Sequence, residues 1–288
     1  MIYRKLGNIE QKVSVIGYGG WALGQKGWQG VNEGQSRKTL QLAYESGINF
    51  FDTAPIYGLG KSEEIIGEEL SYVRKNIIIA TKFGLVWNQG DVRHDISRDS
   101  ILREIEQSLK RLKTDYIDLY QLHWNDNKTS FEETFSTLNR LREEGVIREI
   151  GVSNLNKDEM VEALHYSNIT SLQSEYNWLQ RDVEKEVLPF CNERKIGFIA
   201  YSPLAQGLLS GKVNTDYNLS KNDIRRFNPF FTNKEIMTKA LNKIKKLDNP
   251  LEVALKFLVD NNKVTTSLVS MTKERHLKQN IKILNSSI

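Results

Sequence analysis

In the stretch Asn49-Phe50-Phe51-Asp52-Thr53-Ala54-Pro55-Ile56-Tyr57-Gly58, an apolar run stops at a carboxylate and a phenol follows five residues later. Gly47 and Pro55 bound the run, which predicts a strand ending at Asp52 and a loop carrying Tyr57. Loops beyond strand ends are where chemistry concentrates. Other apolar runs end in polar residues too: Lys82, His123, Ser153-Asn154, Gln173 and Tyr201-Ser202. A lysine held against an apolar wall needs a partner, and Asp52 can supply it. A phenol with a reference pKa of about 10 is in its donor form at neutral pH. A lysine about 4 Å away favours the phenolate left after donation, by up to roughly 4 kcal/mol at an effective dielectric near 20. That combination suits a general acid serving a newly formed alkoxide. Asp52 would keep Lys82 protonated and in place, and His123 would orient the substrate oxygen or share the proton. No activated serine or cysteine stands beside these residues, so covalent catalysis lacks a nucleophile and a hydride donor must come from outside the protein. An isolated Asp or Tyr more often caps a turn or covers a surface, so the surrounding elements must decide.

With 288 residues, of which 39% are hydrophobic, the chain is large enough for a full core. Its 40 basic and 36 acidic residues leave a net charge of +4 spread along the sequence, too weak for a nucleic-acid surface. No apolar run approaches the roughly 18 residues of a membrane span, and the first residues lack the apolar core of a signal peptide. A soluble, cytoplasmic protein is expected. The lone cysteine, Cys191, excludes an internal disulfide, and the four histidines show no paired ligand spacing, so no metal is expected. Cys191 shares a helical face with Val183, Val187 and Phe190, which predicts core packing.

Tyr3 to Leu6 and Lys12 to Ile16 read as a short hairpin running into a strand that ends at Gly17. The run Gly17-Tyr18-Gly19-Gly20-Trp21-Ala22 matches the dinucleotide fingerprint G-x-G-x-x-A, which requires a helix to open at once. The glycine-rich run to Gly30 has no helical period, so the match is rejected. Strand then helix alternates from there: strands at 49–52, 77–82, 117–123, 147–153, 171–175, 197–202 and 266–269, with apolar stripes between them such as Ile101, Ile105, Leu109 and Leu112. Pro189 must kink or restart the helix near 183–195. The segment Pro203 to Thr232 reads as a long functional loop. The last helix carries Leu277, Ile281, Leu284 and Ile288 on one face. Eight β-α units predict one closed (β/α)8 barrel over residues 1–288, a TIM barrel whose N-terminal hairpin closes the bottom face. All the polar strand ends would then meet at its carboxyl face, where barrel enzymes keep their chemistry. All five tryptophans, Trp21, Trp28, Trp87, Trp124 and Trp178, fall in loops leaving that face and predict a wall for a flat or apolar ligand.

Over essentially its full length the chain resembles the aldo-keto reductase superfamily, in the bacterial and archaeal branch related to potassium-channel β subunits. The resemblance rests on D-T-A-x-x-Y-G at 52–58, A-T-K at 80–82, I-D-L-Y-Q-L-H-W at 117–124, G-V-S-N at 151–154, Q-S-E-Y-N at 173–177 and A-Y-S-P-L-A-Q-G-L-L-S-G-K at 200–212. It implies a catalytic tetrad of Asp52, Tyr57, Lys82 and His123, with Tyr57 as the acid in reduction. It also implies an extended nicotinamide dinucleotide bound without a Rossmann fold. Tyr201 would stack on the nicotinamide, Ser153, Asn154 and Gln173 would hold its carboxamide, and Gly20 and Trp21 would lie at its ribose. Ser202, Leu204, Gln206, Gly207 and Lys212 would follow the pyrophosphate. Implied contacts beyond the last strand take in Ser270, Thr272, Lys273 and His276, with Asn280 at the adenine. Ser270 and Thr272 stand where such reductases usually have a glycine and an arginine for the 2′-phosphate. Lys273 or Arg275, at the start of the final helix, remain to bind that phosphate, so NADP is expected and NAD is possible.

The expected activity is NAD(P)H-dependent reduction of aldehydes or ketones to alcohols, with Trp28, Trp87 and Trp124 against the substrate. The alternatives are a catalytically slow nucleotide-sensing module, and an isomerase or lyase using Lys82 as a Schiff base.

Overall fold

The computed structural model describes residues 1–88 and 91–286, so Ile288 of the last predicted stripe lies outside the described residues. Strands β1 (Tyr3–Arg4) and β2 (Val13–Ser14) pair as an antiparallel hairpin. There follow β3 (Ile16–Gly19), α1 (Glu33–Glu45), β4 (Phe50–Asp52), α2 (Lys61–Leu70), β5 (Ile78–Phe83), β6 (Leu85–Asn88), β7 (Asp91–His94) and α3 (Arg98–Leu112). The chain continues through β8 (Ile117–Leu122), α4 (Phe131–Glu143), β9 (Ile147–Ser153), α5 (Lys157–Tyr166), β10 (Ser171–Glu175), α6 (Val187–Glu193) and β11 (Gly197–Tyr201). It ends with α7 (Pro229–Thr232), α8 (Lys234–Ile244), α9 (Pro250–Val259), β12 (Thr266–Val269) and α10 (Glu274–Asn285).

Strands β3, β4, β5, β8, β9, β10, β11 and β12 close into a parallel barrel in that order, with β12 hydrogen-bonded back to β3. The expected (β/α)8 barrel is therefore present. Leu6, Ile9 and Val13 from the hairpin pack with Phe50, Ile78, Ala80, Leu119, Ile199 and Leu268 inside it, which is how the hairpin closes the bottom. The outer faces of the strands pack on the apolar stripes of the helices. Ile101, Ile105 and Leu112 of α3 and Phe131, Phe135, Leu138 and Leu141 of α4 all join one cluster.

Sequence-local chemistry fixes where helices begin. Asn156 caps α5 in a reciprocal capping box with Glu159, and the side chains of Asn32 and Ser130 accept the first free N–H groups of α1 and α4. Pro189 sits in the first turn of α6, and the expected helix across 183–195 is instead a short 3-10 turn, Asp182–Glu184, followed by a restart at Val187. Cys191 is fully buried, and burial pushes its thiol up to about 12, as suits a packing residue. After Gly17 only a 3-10 turn, Ala22–Gly24, precedes the first α-helix at Glu33, consistent with rejecting the dinucleotide fingerprint, and β3 runs on to Gly19. The β6–β7 hairpin has no counterpart in the sequence reading, and the expected loop 203–232 contains α7 and two 3-10 turns.

Candidate active site

At the carboxyl ends of the strands lies a cavity of about 1530 Å³. Strand register assembles its floor: Asp52 ends β4, Lys82 is the penultimate residue of β5, and His123 follows β8 directly. Lys82 has no exposed surface, and its Nζ donates to Asp52 Oδ1 at 2.6 Å, to the Thr53 carbonyl at 2.9 Å and to the Tyr57 hydroxyl at 3.3 Å. Burial lowers the ammonium's proton affinity, and the Asp52 carboxylate opposes that. Tyr57 keeps part of its surface on the cavity, and burial, with the Asp52 charge, holds its hydroxyl well above the usual phenol range. The phenol is thus in its donor form at neutral pH. The His123 ring meets Tyr57 edge-on at 5.9 Å, and burial together with the Lys82 charge keeps its imidazole well below the usual histidine range. The lowered imidazole is neutral at neutral pH and offers one N–H.

The second carboxylate oxygen of Asp52 accepts from two amides, Gln173 Nε2 at 2.8 Å and Gln121 Nε2 at 3.1 Å. Gln121 was missed in the sequence. The available signal was an amide within the apolar run Leu119-Tyr120-Gln121-Leu122, on the strand face that also carries Leu119 and His123.

Asp52, Tyr57 and His123 line the cavity, whereas Lys82 lies beneath it. Gly20, Trp21, Ser153, Asn154, Gln173 and Tyr201 line its inner part. The Tyr201 hydroxyl donates to Asn154 Oδ1 at 3.0 Å, and Asn154 Nδ2 donates to the His123 carbonyl at 3.2 Å. The buried Ser153 Oγ makes no hydrogen bond among the described residues. Ser202, Leu204, Gln206, Gly207 and Lys212 line the cavity after β11, where Ser202, Ala205, Gln206 and Gly207 take positive φ values of 52°, 45°, 54° and 99°. Such turned backbone presents its N–H groups to one side, a geometry that favours anions. Ser270, Thr272, Lys273, His276 and Asn280 line the cavity at the start of α10, whereas Arg275 is exposed and off its wall. Of the two cations expected there, Lys273 is the one that lines the cavity. Burial, reinforced by Lys212, Arg275 and Lys273, lowers His276 to about 4.

Trp28, Trp87 and Trp124 also line the cavity, and Trp21 joins Tyr57 to Trp28. Trp21 stacks on Tyr57 at 6.0 Å and meets Trp28 edge-on at 5.2 Å. Trp178 is the exception to the expected wall: it packs against Ala205, Leu208, Leu209 and the buried face of α8. Among the described residues, no group of His, Cys, Asp and Glu side chains is placed to hold a metal ion, and no helix is long and apolar enough to cross a membrane.

Residues 15–288 match the Aldo/keto reductase family. The chain is 38% identical over 252 residues to the aldo-keto reductase YhdN of Bacillus subtilis (strain 168), covering 86% of this chain and 76% of that one. It is 33% identical to the NADH-specific methylglyoxal reductase of Escherichia coli (strain K12), over 98% of this chain and 93% of the relative. Among solved structures, the glycerol dehydrogenase AKR11B4 from Gluconobacter oxydans superposes with a TM-score of 0.84 at 30% identity, covering 99% of this chain and 96% of its own. The chain belongs to the aldo-keto reductase family.

Proposed function

We propose that this chain is a nicotinamide-dependent reductase that converts small aldehydes or ketones to alcohols, with Tyr57 as the general acid. It would act as one barrel domain over residues 1–288, in the cytoplasm, without nucleic acid or membrane partners. The observation that carries the proposal is the Lys82 Nζ held between Asp52 Oδ1 at 2.6 Å and the Tyr57 hydroxyl at 3.3 Å, under the cavity floor. When bound, a reduced nicotinamide supplies the hydride to the carbonyl carbon. Tyr57 then gives its hydroxyl proton to the carbonyl oxygen as negative charge develops there. Lys82 stabilises the phenolate that remains, because a charge placed beforehand in a site sheltered from water costs no reorganisation during the reaction. Asp52 holds that ammonium, and the neutral His123 presents its N–H toward the substrate oxygen. Trp28, Trp87 and Trp124 would line the substrate's apolar side.

The residues present fit a dinucleotide. The unpartnered Ser153 Oγ, with Asn154, Gln173 and Tyr201, suits a carboxamide-bearing ring, and Gly20 and Trp21 suit its ribose. Ser202, Leu204, Gln206, Gly207 and Lys212 would hold the pyrophosphate, and Ser270, Thr272, Lys273, His276 and Asn280 the adenosine end. Lys212 and Lys273 make no ion pair among the described residues. Lys273, with the N-terminus of α10 beside it, supports NADPH over NADH. The Escherichia coli relative, named as NADH-specific, makes that choice the first to measure, and its methylglyoxal is a suitable first substrate.

The test is a titration of the purified protein with NADPH and NADH followed by tryptophan quenching, then turnover on a panel of aldehydes. Tyr57→Phe should bind the nucleotide normally while losing roughly 10²- to 10⁴-fold in kcat. Undiminished turnover in that variant eliminates the mechanism. Tight binding with no turnover on any carbonyl would point to a nucleotide-sensing module instead.

A further inference from the structure

We propose that Gln121 is a positioning residue that fixes both the Asp52 carboxylate and the orientation of the Gln173 amide. This deepens the reductase reading, and its kinetic arm rests on that reading. Gln121 has no exposed surface, so it touches neither solvent nor any ligand in the cavity. Its Nε2 donates to Asp52 Oδ2 at 3.1 Å, and its Oε1 accepts from Gln173 Nε2 at 3.3 Å. Gln173 Nε2 also donates to Asp52 Oδ2, at 2.8 Å.

The three groups determine one another's orientation. An ionised carboxylate only accepts, so each amide must turn its nitrogen toward Asp52. That turns the Gln121 carbonyl toward Gln173, where it takes the second N–H of Gln173. The Gln173 amide is locked against a flip, with its Oε1 left as an acceptor on a residue that lines the cavity. Without Gln121, the Gln173 nitrogen would have one anchor instead of two. Asp52 would keep Lys82 on one oxygen and a single amide on the other.

The barrel is shaped to allow this. Lys82 and Gln121 are register partners across β5 and β8, and Gln121 is the partner of Gly151 across β8 and β9. A Cβ at Gly151 would lie 2.9 Å from Gln121 Cγ and 2.7 Å from Ser171 Oγ. Glycine at that place leaves the room through which the amide crosses to Asp52 and meets Gln173. Barrel interiors are usually filled with branched apolar side chains, and a buried polar group is tolerated there only when its hydrogen bonds are satisfied. Gln121 satisfies both of its polar atoms within this triangle.

The experiment compares Gln121→Leu and Gln121→Glu with the wild-type chain. Leucine fills similar space but donates nothing. A glutamic acid at this place faces Asp52 as a like group and holds one proton on the acid side, so its hydroxyl can restore the donor. The charged and titratable groups around that pair are Lys82, Tyr57 and His123, with Glu63 acting on Lys82. Gln121→Leu should lose at least about tenfold in kcat with the carbonyl KM unchanged, since the residue acts on the acid rather than on binding. At about pH 6, Gln121→Glu should turn over at least about threefold faster than Gln121→Leu. A role in packing alone would make the two variants equal.

A second measurement needs neither cofactor nor substrate. Exchange of the Gln173 side-chain amide protons, followed by NMR, should be slow in the wild-type chain relative to the exposed Gln107, and at least about tenfold faster in Gln121→Leu. Turnover within twofold of wild type in Gln121→Leu, no advantage of glutamate over leucine, or a Gln173 amide that exchanges like Gln107 in the wild type each overturns the proposal. If the variants do not fold, the wild-type exchange measurement decides. If the wild-type chain reduces no carbonyl, the reductase reading fails, and amide exchange still decides the triangle.

Discussion

Lys82 is the residue on which the site's electrostatics turn, because its ammonium is fully buried and its only carboxylate partner among the described residues is Asp52. Removing one member of a buried pair leaves the other charge uncompensated, at a cost of about 3–5 kcal/mol. Lys82→Met should therefore be both inactive and markedly less stable in urea unfolding. Adding Asp52→Asn should recover most of the lost stability and none of the activity. A double variant as unstable as the single one would mean that Asp52 does not face an uncompensated charge. The histidines carry the same logic into pH. Burial lowers His276 to about 4, and His123 lies well below its ordinary range. Each takes up a proton in the unfolded chain, near pH 6.5, before it does so in the folded one, so this contribution to stability falls as pH drops below about 6.5. For His276 the loss is complete near its folded value of about 4, and its partial exposure moderates the size. His276→Gln should show a smaller drop in melting temperature between neutral and acid pH than the wild-type chain, and an identical drop would remove His276 from the account.

At the scale of elements, the β6–β7 hairpin shapes one wall of the cavity, since Leu85, Trp87 and Val92 all line it. Its neck is held by the Asp95 N–H donating to the Gly84 carbonyl at 3.2 Å and by the Gly84 N–H donating to Glu104 Oε1 at 3.0 Å. Burial raises the Glu104 carboxyl to about 7, and its Oε2 has no hydrogen-bond partner among the described residues. A raised carboxyl stabilises the fold fully below its unfolded value near 4.5, and that contribution is lost as pH rises through about 7. Glu104→Gln keeps the acceptor for Gly84 and removes the buried charge. It should gain on the order of 2 kcal/mol over the wild type at about pH 8 and nothing at about pH 4, as read by urea unfolding at the two pH values. Equal stability at both would place the charge in contact with water. The eight barrel strands were legible in the sequence because each is an apolar run between turn signals, and Asp52, Lys82 and His123 were legible because each ends such a run. The hairpin was not, because its exposed and half-exposed residues leave no apolar stripe, and its position depends on tertiary bonds to Glu104 and Asp95. Gln121 was passed over because a single amide inside an apolar run has no period, and its partners lie 52 and 69 residues away.

Across the whole molecule, the loop after β3 and the long connection after β11 are tied together beside the cavity that both line. Gln29 Nε2 donates to the Tyr217 hydroxyl at 3.4 Å and the Asn218 carbonyl at 3.3 Å, and its Oε1 accepts the Ser220 N–H at 2.8 Å. The Gln29 backbone N–H donates to Asp223 Oδ2 at 3.2 Å, and the Ile224 N–H donates to the Gly27 carbonyl at 2.7 Å. The Asp223 carboxylate is paired in turn with Arg225, whose guanidinium lies over Trp28, Tyr217 and Phe231. Both loops line the cavity, so the tie would restrict the release of a dinucleotide seated along the walls proposed here. The Gln29 side chain supplies three of the bonds, in partly exposed surroundings where each contributes about 0.5–1 kcal/mol. Gln29→Ala should thus speed nucleotide release by about tenfold while moving the melting temperature little, because the barrel core does not depend on these bonds. Stopped-flow displacement of bound NADPH, followed by tryptophan fluorescence, reads the rate directly. If product release limits turnover, kcat rises with it; an unchanged release rate would mean that the two loops open without breaking at Gln29.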